Sequence, residues 1–532
     1  MPTFAKEHAQ ADPDGFALVD RRPDGDRVLT WDDVDETLNR CADLLLAAAA
    51  RGDLGPDHRV AVFAENSAET ALAHLGALLA GASSVPVNFH LTAEEAAYIL
   101  SDSGSGIVFV GPETAERGVA AAREAGVDVV IGWDCDDVEG ADGVTDWAEW
   151  LAGGNHVDPP GDTVPRPNLL YTSGTTGRPK GTELPPTMFA GGTTMDEHVA
   201  EIGGGFAAFG THLVVGPMYH TGPLSGMRLL CAGKPSVILR KFDAENTLDA
   251  IERYATESSV MVPTHFVRML ALPDEVKERY DVSSMQMIAH TGAKCPVDVK
   301  AAMIRWFGPV FRDAYGASEV GTVCTISSEE WMEHQGSVGR SVPPFTALIL
   351  DEELNELPAN TEGRLYFRDA TGRGVIYPND PDKTAAANPE PGLFTLGEIG
   401  YLDDEGYVYI TDRFSDMVVS GGANIYPAEA EQVLIDHPDV ADVGCVGVPH
   451  PDMGEMLVGL VVPEDESTPP DTSQLSAWLR ERLTHYKCPR EYHVVTDLGR
   501  NTMGKINKRA LRDAWLAGEL TELTAAPAGD TA

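Results

Sequence analysis

The eleven residues Tyr171–Gly181 (YTSGTTGRPKG) restrict what this chain can fold into more than any other stretch of it. Gly174, Gly177 and Gly181 let the backbone turn tightly and present its N–H groups. Thr172, Ser173, Thr175 and Thr176 add hydroxyls, and Lys180 adds a point charge suited to oxygen anions. Such a loop cradles phosphate. It is not a Walker A loop, which needs G-x-x-x-x-G-K-[ST]. Flexible surface linkers share the Ser/Thr/Gly composition, yet they rarely lie between an apolar run, here Leu169-Leu170-Tyr171, and a lysine.

At 532 residues the chain exceeds what one hydrophobic core organises, so two or more domains are expected. An apolar content of 43% fits an ordinary globular enzyme. The formal net charge of −44 argues against nucleic acid or an anionic membrane as partner, because long-range repulsion slows both encounters. Solubility or a salt-adapted source would explain the same balance. Only 11 of the 39 basic residues are lysines, which gives weight to Lys180 and Lys505. From Arg480 to Arg512 nine basic residues face three acidic ones, and a polyanionic ligand is expected to find its counter-charge there. The seven cysteines form no C-x-x-C pair, so reduced and mostly buried thiols are expected rather than zinc ligands or disulfides. The opening MPTFAKEHAQADPDG has no apolar signal core, and the longest apolar run, Leu44–Ala50, is too short to span a bilayer. A cytoplasmic protein is expected.

Short β-rich runs (Arg59-VAVFAEN, Ser84-VPVN, Gly106-IVFVG) alternate with helical patterns (Ala68-ETALAHLGALLAG, Ala93-EEAAYILSDS), and the alternation continues through Ser258-SVMVP. This predicts a large layered α/β N-terminal domain. After Tyr401-LDDEGYVYITDR the pattern changes to a strand at Met417-VVSGG, a helix at Pro427-AEAEQVLIDH, strands near Asp442 and Leu457, and a helix at Ser473-QLSAWLRERL. A small, mobile α+β C-terminal domain is therefore expected, with the chain divided as 1–412 and 413–532.

The string Tyr171–Gly181 resembles the signature of the adenylate-forming superfamily, which includes acyl-CoA synthetases, peptide-synthetase adenylation domains and luciferases. Further superfamily motifs recur in order: Pro217-MYHTG, Tyr315-GASE, Gly336-SVGR, Phe394-TLGEIGYLDDEG, Thr411-DRFSDMVVSGGANIYPAE and Arg500-NTMGKINKRALR. Condensing a carboxylate with ATP brings two anions together and places charge on a pentacovalent phosphorus, so cations and backbone donors must converge. The resemblance implies that Lys180 and residues Thr172 to Gly177 hold the β- and γ-phosphates, and that Thr175 and Glu319 bind Mg²⁺ together with phosphate oxygens. It implies that Tyr315, with Gly316 and Ser318, receives adenine, that Glu398 and Arg413 grip the ribose, and that Lys505 bridges carboxylate and α-phosphate. Met218, His220, Thr221, His290, Thr291 and Gly292 would surround the acyl group, with Lys294 at the margin and His220 also assigned to catalysis. Two histidines, two threonines and a lysine suit a short or aromatic acid better than a long chain. For His290 a core histidine satisfied by neighbours is an equal alternative.

In the superfamily the small domain then rotates, removing the lysine here numbered Lys505 and opening a pantetheine tunnel. Gly421 and Gly422 would line it, and Lys487 and Arg490 would meet the phosphates of coenzyme A, unless they belong to an ordinary exposed basic strand. Three positions depart from the pattern: Glu398 stands where aspartate is usual, Ser415 where many members carry Asp or Lys at the hinge, and Met453 where some ligases place an aromatic. The resemblance thus implies a carboxylate–CoA ligase. Transfer to an amine, or activation of nitrite to diazotise an aromatic amine, keeps the first half-reaction and changes the acceptor. A nucleotide-binding regulator without turnover is disfavoured, because Lys180 and Lys505 are both present.

Overall fold

The computed structural model describes residues 5–172, 180–185, 188–189, 191–206, 208–293, 295–376, 381–413, 416–420, 423–450, 453–483, 485–500 and 506–521. Internal packing divides the chain into two compact units. The first comprises Met1–Thr291, Val299–Glu329 and Arg373–Ala386, and the second Gly292–Asp298, Glu330–Gly372 and Ala387–Ala532. Residue 412 falls inside the second unit.

The first unit is a layered α/β body. One all-parallel sheet runs in the order Ser83–Pro86, Arg59–Phe63, Ile107–Val110, Val129–Gly132, Thr145–Asp146. Its strands Ser83–Pro86, Arg59–Phe63 and Ile107–Val110 are buried almost throughout, as parallel sheets covered on both faces require. Strand periodicity sorts them: Val60 and Val62 enter one apolar cluster with the helices Trp31–Arg51 and Ala68–Leu79, whereas Ala61 and Phe63 enter another with Ala93–Ser103 and Ala115–Ala125. The second sheet orders Gly321–Ser327, Phe311–Ala317, Met287–His290, Ser258–Met261, His212–Val214, Ser236–Leu239, Phe16–Arg21 and Arg27–Thr30, parallel except for an antiparallel hairpin at either end. Helix ends follow local sequence rules. Thr30 and Asp33 form a capping box that opens the helix Trp31–Arg51, and Thr92 and Glu95 do the same for Ala93–Ser103.

The second unit holds two further sheets. The antiparallel strands Phe345–Leu350, Gly363–Asp369, Glu398–Leu402 and Val408–Arg413 form one, a turn-rich stretch that alternation did not predict. The other pairs Ala423–Ile425, Val418–Ser420, Gly454–Pro463 and Val440–His450 antiparallel, with Glu491–Val494 added in parallel. With the helices Pro427–Leu434, Thr472–Arg480 and Lys508–Ala517 this is the small α+β body expected from the composition change after Tyr401. Among the described residues no helix is long and apolar enough to cross a membrane.

Candidate active site

The strands Leu169–Thr172 and Lys180–Glu183 pair antiparallel, with Thr172 opposite Lys180 and Tyr171 opposite Gly181. The predicted phosphate-binding threonine and lysine therefore occupy facing backbone positions at the mouth of a hairpin. Ser173, Gly174, Thr175, Thr176 and Gly177 lie outside the described residues, as do the side chains of Thr172 and Lys180. What anchors the hairpin is described. Tyr171 donates its phenolic hydrogen to Asp102 at 2.7 Å, and burial, then that carboxylate, raises the phenol's pKa. A Cβ on Gly181 would come within 3.2 Å of the Tyr171 ring, so glycine leaves room for this anchor. At the foot, the buried Arg228 guanidinium donates to Asn168, whose own amide donates to the Ser84 carbonyl at 3.5 Å. Burial pulls the Arg228 pKa down to about 10.

The acyl and adenine motifs meet in the first unit. Thr221 opens the helix Thr221–Met227 and its Oγ1 lies 3.4 Å from Ser318 Oγ. Met218 is 1% exposed and belongs to the main apolar cluster, while His220 and Thr221 are partly exposed. The Tyr219 ring lies 4.2 Å from that of His220, tilted by 52°, and meets Phe89 edge-on at 5.3 Å. Tyr315 and Gly316 lie on the strand Phe311–Ala317, with Ser318 and Glu319 in the turn that reverses it. A side chain on Gly316 would collide with the Gly321 carbonyl oxygen at 1.9 Å, so the hairpin itself requires this glycine. Arg373 donates to the Glu319 carbonyl at 3.1 Å and secures the backbone of the candidate metal ligand.

His290 ends the strand Met287–His290 at 4% exposure, opposite Asp313 in parallel register. Its Nε2 lies 2.8 Å from Asp313 Oδ1, the oxygen that also accepts from Lys300, a lysine only 1% exposed. Among the described residues both ring nitrogens are buried without a hydrogen-bond partner, so Asp313 approaches at ion-pair distance without satisfying the imidazole. Thr291 follows, its N–H donating to the Met261 carbonyl at 3.3 Å. Gly292 adopts φ +90°, a left-handed conformation that favours glycine. Lys294 lies outside the described residues.

In the second unit Glu398 and Arg413 are direct cross-strand partners, so the two predicted ribose-gripping residues share one register position although fourteen residues separate them. The Glu398 side chain is 7% exposed, while that of Arg413 is outside the described set. Four cations of the basic run 480–512 are engaged by acids from outside it. Lys487 pairs with Glu429 at 2.6 Å, Arg500 with Asp442 at 2.6 Å, Lys508 with Glu431 at 3.0 Å and Arg512 with Glu455 at 3.4 Å. Acids from residues 429 to 455, distant in sequence, pair with these four of its nine cations. Arg490 remains exposed, with its backbone N–H donating to the Leu457 carbonyl at 2.9 Å. Gly421, Gly422 and Lys505, and the hinge candidate Ser415, fall outside the described residues.

Sequence reasoning passed over Asn66, Phe89, Tyr219, Asp313 and Arg373. Asn66 was the most accessible of them: it follows a parallel strand at its carboxyl end, where sheets of this kind place binding residues.

A hairpin bearing the Tyr171–Gly181 motif on a layered α/β unit, with a smaller α+β body behind it in sequence, is the organisation of an ATP-dependent adenylate-forming ligase, the class to which this chain belongs. The chain belongs to the AMP-binding enzyme family: that family's model matches residues 5–375, and the model of the AMP-binding enzyme C-terminal domain matches 429–505. It is 30% identical to an indoleacetate–CoA ligase of Aromatoleum aromaticum, over 96% of this chain and 97% of that protein. It is also 30% identical to the fatty acid–[acyl-carrier-protein] ligase ScoC of Streptomyces coeruleorubidus, over 95% and 94% of the two chains. The ATP-bound crystal structure of MatB from Rhodopseudomonas palustris superposes with a TM-score of 0.76 at 27% identity, covering 97% of this chain and 99% of that one.

Proposed function

We propose that this enzyme joins a short or aromatic carboxylic acid to coenzyme A through an acyl-adenylate. In the first half-reaction a carboxylate oxygen attacks the α-phosphorus of ATP and pyrophosphate leaves; in the second the thiol attacks the acyl carbon and AMP leaves. The observation that carries this reading is the 3.4 Å approach of Thr221 to Ser318, which joins the acyl-binding segment to the adenine motif within one unit. An enzyme that condenses an acid with a nucleotide needs that juxtaposition. Lys180 and the hairpin hold the β- and γ-phosphates, Tyr315 stacks on adenine, and Glu398 and Arg413 grip the ribose. Lys505, on a C-terminal domain that swivels as residues 413–532, bridges the reacting anions. Among the described residues no three His, Cys, Asp or Glu side chains converge into a metal cage. Magnesium would be held by Glu319 and Thr175 with phosphate oxygens and water, the manner usual for this ion, and would supply positive charge against the phosphates. The rings of Phe89, Tyr219 and His220 favour a flat or compact acid. Seven cysteines, none in a disulfide among the described residues, suit a reducing, cytoplasmic setting.

One observation favours a second acceptor. Lys487 is engaged by Glu429 and has to leave that carboxylate before it meets a phosphate. An amine, or nitrite followed by an aromatic amine, needs no such cation. AMP release measured with acid and ATP, and with CoA, an amine, or nitrite plus an aminobenzoate added in turn, separates these. CoA should accelerate AMP release and yield a thioester; acceleration by nitrite with the aminobenzoate and none by CoA would refute the ligase reading. We further expect Lys487→Ala to leave the KM for CoA unchanged, with Arg490 making the phosphate contact, and to lower stability by roughly 0.5–1 kcal/mol, as loss of a partly exposed ion pair does. A large rise in that KM would return Lys487 to the acceptor site.

A further inference from the structure

We infer that Asn66 is a positioning residue that sets the affinity for the acid by pinning the segment Gly216–Met218, which leads into His220. The inference rests on the adenylation reading above. Asn66 is 3% exposed and lies between the strand Arg59–Phe63 and the helix Ala68–Leu79. Its amide Nδ2 donates to the Gly216 carbonyl at 2.9 Å and to the Leu239 carbonyl at 3.1 Å, and its Oδ1 accepts from the Met218 N–H at 2.8 Å. Two carbonyls and one N–H fix which way round the amide lies, because a flipped amide would face like groups. One side chain thus ties together three segments remote in sequence: the end of the strand Arg59–Phe63, the acyl loop, and the end of the strand Ser236–Leu239.

The backbone that presents Asn66 is itself held. Thr70 Oγ1 donates to the Glu65 carbonyl at 2.6 Å, and Ser67 caps the helix Ala68–Leu79 by accepting from the Thr70 N–H at 3.1 Å. The acyl loop has little regular structure of its own: Pro217 accepts from the His220 N–H at 3.0 Å, closing a single turn before the helix Thr221–Met227. Without the amide, Gly216 O and Met218 N–H lose buried partners, and the turn carrying Tyr219 and His220 loses its reference to the two sheets. Asn66 hydrogen-bonds the loop, not the nucleotide motifs, so its effect belongs to the acid.

Steady-state pyrophosphate release with varied acid and varied ATP tests this in the full-length enzyme. Asn66→Asp keeps the shape and the acceptor but turns a carboxylate toward two carbonyl oxygens. It should lower kcat/KM for the acid by about 10²-fold, the scale of a small misplacement transmitted to a reacting group, with the KM for ATP unchanged. Asn66→Ser, which keeps one short polar group, should show the same split to a smaller degree and serves if the aspartate variant does not fold. Thr30→Ala removes the cap of a different helix, Trp31–Arg51, and touches neither Asn66 nor the loop; it should lower the melting temperature and leave both KM values alone. Equal rises in KM for acid and ATP, or no kinetic change in a folded Asn66 variant, would overturn the inference while the wild-type activity stands. A wild-type enzyme that releases no pyrophosphate with any acid would overturn the functional reading and this inference with it.

Discussion

Lys505→Ala should lower acyl-adenylate formation by about 10²–10³-fold while leaving thioester formation from supplied acyl-adenylate close to wild type. The factor is what removal of one preorganised charge from a developing oxyanion typically costs. The asymmetry follows from the two-pose account: the ammonium group stands between carboxylate and α-phosphate only while the first bond forms, and it is withdrawn before the thiol arrives. Single-turnover assays started from acid plus ATP, and separately from synthetic acyl-AMP plus CoA, give the two rates. Equal loss in both would mean that Lys505 stays at the reacting centre throughout and that no swivel separates the steps. The expectation comes from Gly504 and Lys505 in the motif Arg500-NTMGKINKRALR and from the scarcity of lysine in this chain.

The second large effect is loss of stability in mild acid. His74, His212 and His265 are buried and uncharged, their pKa values pushed down by desolvation to about 3, 4 and 3. Arg228 adds to the effect at His74, and Arg268 to that at His265. Once unfolded, each returns to its ordinary value of 6.5. Between pH 6.5 and about 4 the unfolded chain therefore binds more protons than the folded one, so stability is full above pH 6.5 and falls as pH drops through that window. Three such groups give a slope of up to roughly 4 kcal/mol per pH unit near pH 5, against a total stability of about 5–15 kcal/mol. Glu113, held above the usual carboxylate range by burial, pulls the other way as a single group. Urea midpoints at a series of pH values read the slope, and His265→Gln should reduce it by about one proton. A flat profile from pH 6.5 to 4.5 would show that these imidazoles titrate in the folded state.

The parallel strands were readable because burial on both faces leaves unbroken runs such as RVAVF and GIVFVG, and the helices between them carry capping pairs such as Thr92 and Glu95. The family resemblance pointed to Glu398 and Arg413 as ribose candidates, and the register that sets one against the other follows from two adjacent strands and a short turn. What stayed hidden depends on partners remote in sequence. That four cations of the run 480–512 are engaged was not visible, because Glu429, Glu431, Asp442 and Glu455, which pair with them, come from elements dozens of residues earlier. His290 was ambiguous for the same reason: its neighbours Asp313 and Lys300 are remote in sequence, and parallel pairing rather than local pattern brings Asp313 beside it. Asn66 gave a helix-start cue and no hint that its amide reaches a loop 150 residues away. The sheet from Phe345 to Arg413 escaped because short antiparallel strands among turns leave no helix alternation to notice.

Acid-dependent exchange of labelled pyrophosphate into ATP tests the central claim most directly, because it reports reversible adenylation without any acceptor. With magnesium and a panel of short and aromatic carboxylic acids, at least one acid should support exchange, and Lys505→Ala should abolish it. Nucleotide binding that persists while no acid in the panel supports exchange would contradict the account.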